Sequence, residues 1–415
     1  MEQRRKNLTQ LFIPICLETL LYMLSGMVDT LMLSSVNDQA VGAVGTANTY
    51  IGIFIIMFSV ISSGMVAVMT QNIGAGRPGV AYQARQLGLA FNAVLGVIMS
   101  LFLSLGAGTI LSGVGVADAL MQPAKTYLQI VGGFCILNAL IPICSSYLRA
   151  FGFSKEPLYA SIIGNVINFC LNAFFLFVLH KGVAGVATAT VISRIINLVI
   201  VVLLGAVLVK AKQHPERESN RAVMGQIIRI GLPSACETAI YNVSMTLVIR
   251  FLNQMDAQGL NVTARSYTMQ ITNFSYCVGA ALAQANAIMT GWHIGAKEYD
   301  ACDRGTKKAA VIGVIVAVIL ETVFTLCSGW IMQLFSKDPQ MVSLVGKLLA
   351  IDIVLEIGRV TNLVYGQALK TSGDAVFPVV MGACFMILCS VGGTYLFGIR
   401  LGLLAVGAYI GMTGD

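Results

Sequence analysis

Charged side chains are scarce in this chain. Asp, Glu, Lys and Arg make up 11% of its 415 residues, where a soluble domain carries about 25%. With 57% hydrophobic residues alongside, the composition excludes a soluble globular domain and implies a polytopic membrane protein. Histidine is scarcer still, at His180, His214 and His293 only. These fall at span ends or in loops without ligand spacing, which excludes haem or a His-metal centre within the membrane. The ten cysteines form no CxxC pair, and all but Cys302 sit in apolar stretches, where they read as small packing residues and imply no disulfides. HExxH, GxSxG and paired-histidine motifs are missing, so the chain is expected to be neither an enzyme nor dependent on a cofactor or metal. A filter-like segment is also missing, which disfavours a channel. The net charge of +7 does not imply nucleic acid, because the bases sit in short loops between apolar runs.

Those runs are long enough to cross a hydrocarbon core, which needs about 20 apolar residues. Breaks at Gly, Pro and charge predict helices near 11–33, 44–69, 87–112, 124–148, 158–179 and 184–209, then near 232–254, 262–290, 309–334, 341–369, 375–398 and from 403. Barrel strands of 9–11 residues would be far shorter. The first run follows Arg4, Arg5 and Lys6, as in a signal peptide, but it is too long and lacks a small-residue cleavage site, so it is expected to be retained. With the N-terminus in the cytoplasm, seventeen Lys and Arg flank the inner ends of the spans. Only Lys125, Lys181, Lys337 and Arg400 flank the outer ends. The positive-inside rule therefore orients the chain in the plasma (inner) membrane. The long charged segment Lys210–Arg229 reads as a solvated cytoplasmic linker between residues 1–209 and 230–415.

The second half begins like the first. Pro14, Glu18, Thr19 and Tyr22 recur as Pro233, Glu237, Thr238 and Tyr241, a P-x3-E-T-x2-Y spacing shifted by 219. Ile73-Gly74-Ala75 recurs as Ile294-Gly295-Ala296, Gly152 and Pro157 as Gly373 and Pro378, and Gly182 as Gly402, at shifts of 220 or 221. Six spans per repeat is an even number, so both halves enter the membrane from the same side. The expected fold is an all-α polytopic membrane protein, with twelve transmembrane helices in two pseudo-symmetric six-helix bundles flanking a cleft. The repeat would carry helix 12 to about position 429, so with Asp415 as the last residue roughly half of it is expected to lie beyond this sequence.

Several motifs together resemble the multidrug and toxic compound extrusion (MATE) family. They are P-x3-E and Val28-Asp29-Thr30 in helix 1, QNIGAG at Gln71–Gly76, LRAFGFSKEP at Leu148–Pro157, GNVINFCLN at Gly164–Asn172 and GLP at Gly231–Pro233. The resemblance covers essentially the whole chain. It implies a secondary antiporter that exports organic cations or other amphiphiles against inward H+ or Na+. It matches the family's helix 1 aspartate to Asp29, its helix 5 N-x3-D pair to Asn168 and Asn172, and its helix 6 threonine to Thr190. The second helix 5 carboxylate is thus an amide here. The NorM-type branch has a helix 7 glutamate and a helix 10 aspartate where this chain has Tyr241 and Arg359. The resemblance therefore favours the DinF-type branch, with coupling through the N-terminal bundle.

Carboxylates inside spans cost at least about 2.5–3.5 kcal/mol and so mark function. Asp29 is expected to face an internal cavity with the i, i+4 pair Asn168 and Asn172. Amide oxygens plus a carboxylate suit Na+, and a lone desolvated carboxylate suits H+. Glu18 and Glu237, with Tyr22 and Tyr241 beside them, either line the cytoplasmic mouth of the cleft and attract cationic cargo or are satisfied by neighbouring helices. In helix 10, Asp352, Glu356 and Arg359 share one face, either as a neutralised network or as a gate or substrate contact. Arg194, Arg250, Arg265 and Glu321 are expected to pair locally or snorkel. The expected partners are a small cationic or amphiphilic molecule and the lipid bilayer, with the chain a monomer. The alternative is a flippase for lipids or lipid-linked precursors, built on the same two bundles.

Overall fold

The computed structural model describes residues 6–35, 38–113, 116, 118–210, 214–255, 259–333, 336 and 338–414. Of the residues read above, Arg4, Arg5, Lys212, Lys337 and Asp415 lie outside that set. Every regular element among the described residues is a helix: α1 Leu8–Ser34, α2 Asp38–Gly74, α3 Pro78–Gly113, α4 Asp118–Tyr127, α5 Ile136–Ala150, α6 Lys155–Ala173, α7 Gly182–Leu208, α8 Asn220–Met255, α9 Leu260–Gly295, α10 Tyr299–Leu326, α11 Ser328–Met332, α12 Pro339–Ser372, α13 Val376–Phe385 and α14 Leu404–Met412. Wider π-type turns extend α4, α6 and α13.

Local chemistry accounts for the helix ends. Asn7 and Gln10 close a capping box at the start of α1. Asp338 caps α12 by accepting from the Gln340 N–H at 3.0 Å, with Pro339 in the first turn. Gly373 then ends α12 in the left-handed region.

Among the described residues, seven helices are long and apolar enough to cross a membrane, or eight if the pair Leu120–Gly132 and Ile136–Ala150, bent by 42°, is one span. The chain is an all-α polytopic membrane protein. Helices α8, α9 and α12 are as long, at 36, 36 and 34 residues, but more polar. In α12 the reason is plain, because Lys347, Asp352, Glu356, Arg359 and Lys370 all lie on it. Charge of that density within a span is tolerated when it faces protein or a cavity rather than lipid.

The chain forms two compact units, Met1–Leu232 and Pro233–Asp415. In the first, α2 packs on α3, α4 and α5, and α6 packs on α1 and α7. Its core runs from Leu33 and Ala43 through Leu103 and Leu128 to Val186. In the second, α9, α10 and α12 pack on one another and α14 on α12, around Val248, Leu252, Leu348 and Ala408.

The duplication is written into the backbone of both units. Gly76, Gly152 and Gly182 adopt positive φ of 74°, 87° and 52°. Their repeat partners Lys297, Gly373 and Gly402 do the same at 60°, 109° and 67°. Glycine carries this conformation without a Cβ penalty. At Lys297 the turn is kept although the glycine is not.

Candidate functional site

In the first unit α1 and α6 bring the expected polar group together. The Asn172 side-chain amide donates to Asp29 Oδ1 at 2.6 Å and to Asn168 Oδ1 at 3.2 Å. Both asparagines are buried and Asp29 is partly buried. The Asn172 side-chain oxygen is buried with no hydrogen-bond partner among the described residues. It is therefore a spare acceptor beside a carboxylate, able to serve a proton carried by Asp29 or a small cation. A π-type turn, Phe174–Val178, begins two residues after Asn172, a distortion frequent at functional sites.

Thr190 is buried on α7, but its hydroxyl donates to the Val186 carbonyl of its own helix at 2.9 Å. No hydrogen bond joins it to Asp29, Asn168 or Asn172 among the described residues. Arg194, also on α7, is the cation whose field reaches Asp29, and Tyr127 lies within reach of both. Nothing in the sequence placed a base near Asp29.

Glu18 and Glu237 are not open carboxylates. Arg149 Nη2 meets Glu18 Oε2 at 2.5 Å, with side chains 10% and 14% exposed. Lys370 pairs with Glu237 in the same way. The two pairs are repeat equivalents, since 149 and 370 differ by 221 and 18 and 237 by 219. Each unit therefore neutralises its own glutamate with a base at the end of a later span. Such a pair exerts little pull on a cation. Tyr22 is 66% exposed and Tyr241 42%.

The second unit holds a group of which the sequence reveals only the α12 members, Asp352, Glu356 and Arg359. Glu321 on α10 joins Asp352 and Glu356 on α12, with one carboxylate oxygen of each lying within 4.8 Å of the other two. All three are at most 1% exposed. Arg359 donates to Glu356 Oε2 at 2.6 Å, as the i, i+3 spacing predicts, and lies 3.9 Å from Asp352 Oδ1. Both Glu321 oxygens, Asp352 Oδ2 and Glu356 Oε1 lack well-formed hydrogen bonds among the described residues. The buried Ser275 hydroxyl lies beside Glu321 and Glu356. One guanidinium offsets one charge, so the rest require protons or a cation. The expectation that Glu321 pairs with a base or snorkels is not met, because it does neither. Its partners are 31 and 35 residues away in sequence, beyond any helical periodicity.

Asp352 and Arg359 also line a cavity of about 450 Å³, together with Tyr241, Glu237 and Lys370. This cavity lies wholly within the second unit.

Comparison with known proteins agrees with this duplicated arrangement. The MatE family model matches residues 14–174 and again 233–396, each match opening at one of the repeated prolines. The chain is similar to the uncharacterized transporter YisQ of Bacillus subtilis, with 33% identity over 408 residues, covering 97% of this chain and 89% of that protein. It is also similar to the probable multidrug resistance protein NorM of Thermotoga maritima, 23% identical over 99% of this chain and 89% of that one. Its fold matches the outward-facing structure of a multidrug resistance MATE family transporter of the MOP superfamily. There the TM-score is 0.87 and the identity 18%, over 98% of this chain and 91% of that one.

Proposed function

Because the chain belongs to the MatE family of transporters, we propose that it is a secondary active antiporter that exports organic cations and other amphiphiles from the cytoplasm, with its N-terminus on the cytoplasmic face. Entry of H+ or Na+ drives the cycle by alternating exposure of a binding site to the two sides of the membrane.

The observation that carries this reading is the Asp29–Asn172–Asn168 group. A carboxylate within a span is costly and is retained where it is used. Its repeat equivalent is Val248, which is buried and apolar, so packing alone does not call for a carboxylate there. When Asp29 is ionised, it and the spare Asn172 oxygen offer oxygen ligands to a cation. When it is protonated, Asp29 can donate to that oxygen. Either form changes the charge within the first unit. An ion can drive the cycle only if it binds the two exposure states with different affinity.

The test is efflux of a cationic dye from proteoliposomes under an imposed pH or Na+ gradient, which also distinguishes the two ions. Asp29→Asn keeps the shape and removes the charge. It is expected to fold and bind dye normally and to lose gradient-driven efflux. Efflux at the unmodified rate, with unchanged ion dependence, would refute the role of Asp29. Lipid scrambling without ion dependence would instead indicate a flippase.

A further inference from the structure

Arg265 lies on α9, facing the cavity of about 450 Å³ in the second unit. It is 6% exposed. Its Nη2 donates to the thioether sulfur of Met245 at 3.4 Å, a weak acceptor, and its Nε has no partner among the described residues. The other cations of this cavity are held: Arg359 by Glu356 and Asp352, and Lys370 by Glu237. No carboxylate lies within ion-pair distance of Arg265 among the described residues. Its guanidinium therefore presents unused donors to the cavity, on a wall that Asp352 shares, and an anionic group entering there can take them up. Its planar fork suits carboxylate, sulfonate or phosphate.

The rest of the lining is mixed: Thr272, Asn273 and Tyr276 are polar, and four methionines supply an adaptable apolar part. Met245, Met269, Met386 and Met412 surround the space, and methionine conforms to irregular apolar bodies.

We propose that this cavity binds an amphiphile through an anionic group held by Arg265, with its apolar body against the methionines. The site rests on the export reading and extends the cargo beyond organic cations. It is measured by binding alone, so its failure is distinct from a failure of gradient-driven efflux.

The experiment uses the full chain in phosphatidylcholine nanodiscs and two dansyl-labelled amphiphiles of equal alkyl length, one ending in a sulfonate and the other in trimethylammonium. The unmodified protein is expected to bind the sulfonate probe. Arg265→Gln should weaken that binding at least tenfold and leave the trimethylammonium probe as tight or tighter, and Arg265→Lys should restore part of it. Met245→Glu gives the guanidinium an internal partner without leaving a buried charge alone, so it should also abolish sulfonate binding while keeping the melting temperature. It therefore tests the site even if Arg265→Gln fails to fold. Repetition in phosphatidylglycerol nanodiscs separates the sources of the anionic group: weaker probe binding there identifies a lipid headgroup as occupant, and equal binding identifies soluble cargo. No sulfonate binding by the unmodified protein, or equal binding in Arg265→Gln and Met245→Glu, would overturn the proposal.

Discussion

Glu321, Asp352 and Glu356 converge within 4.8 Å, and Arg359 is the base that reaches two of them. Removing one carboxylate and removing the base should therefore act in opposite directions. Glu321→Gln relieves crowding among buried acids and supplies a donor to oxygens that lack one. It is expected to leave the melting temperature in detergent unchanged or raised. Arg359→Met leaves the acids without a counter-charge and should cost about 3–5 kcal/mol, the usual penalty for breaking a buried pair from one side. A fall in stability of similar size in both variants would show that Glu321 is held by a partner of its own. The pair Glu18–Arg149 calls for a different measurement, because both side chains are largely buried and either single change strands the other. A double-mutant cycle of Glu18→Gln and Arg149→Gln should give a coupling energy of about 0.5–3 kcal/mol in stability. Cargo affinity should change little, since a neutralised glutamate has little to offer a cation.

Between helices, approach distance is set by residues that carry no side chain. In the first unit the N-terminal half of α8 crosses α2 where Gly231 meets Val60 and Gly64 meets Ile227. A Cβ at either glycine would overlap the facing carbonyl oxygen. Small residues at membrane helix crossings allow this backbone contact. Gly225 lies earlier on α8, and a Cβ added there would meet nothing within 4 Å. Gly231→Ala is therefore expected to destabilise the protein by about 1–3 kcal/mol, as overpacking does. Gly225→Ala should stabilise α8 by about 0.5–1 kcal/mol. Thermal unfolding of the two variants side by side checks the contrast, with helix propensity acting equally on both. The crossing is not legible in the sequence, where Gly231 stands out only as part of GLP. The helix ends are legible, because Gly152, Gly373, Gly182 and Gly402 sit at turns whose positive φ favours glycine.

Across the whole molecule, the duplication is legible in the sequence and the differences between its copies only partly so. The repeated P-x3-E-T-x2-Y and loop glycines predict two like units, and the family model accordingly matches twice. The partners of the repeated glutamates escape a reading of the sequence, although Arg149 and Lys370 stand 221 apart. Contacts over 131 and 133 residues leave no periodic trace in one chain. Glu321 escapes for the same reason. Asp29 and its amides stand out because they break the repeat. Pro157 maps to Pro378 at an offset of 221, and the same offset takes Asn168 to Cys389 and Asn172 to Gly393. In the second unit that last position serves packing: a Cβ on Gly393 would lie 2.6 Å from Gly411 Cα, so the span from α13 and α14 approach backbone to backbone. The two copies have thus assigned one helix position to different tasks, and exchange between them should be one-sided. Asn172→Gly gives the first unit the residue of the second. It is expected to cost about 1 kcal/mol in helix propensity, to keep the fold and to weaken gradient-driven efflux, because Asp29 loses its donor. Gly393→Asn gives the second unit the residue of the first. It is expected to yield little monodisperse protein, because the side chain has no space against Gly411. Yield and size-exclusion profile score the second variant, and proteoliposome efflux scores the first. If Gly393→Asn were well folded, the close approach of the last span would not be what keeps the amide pair out of the second unit.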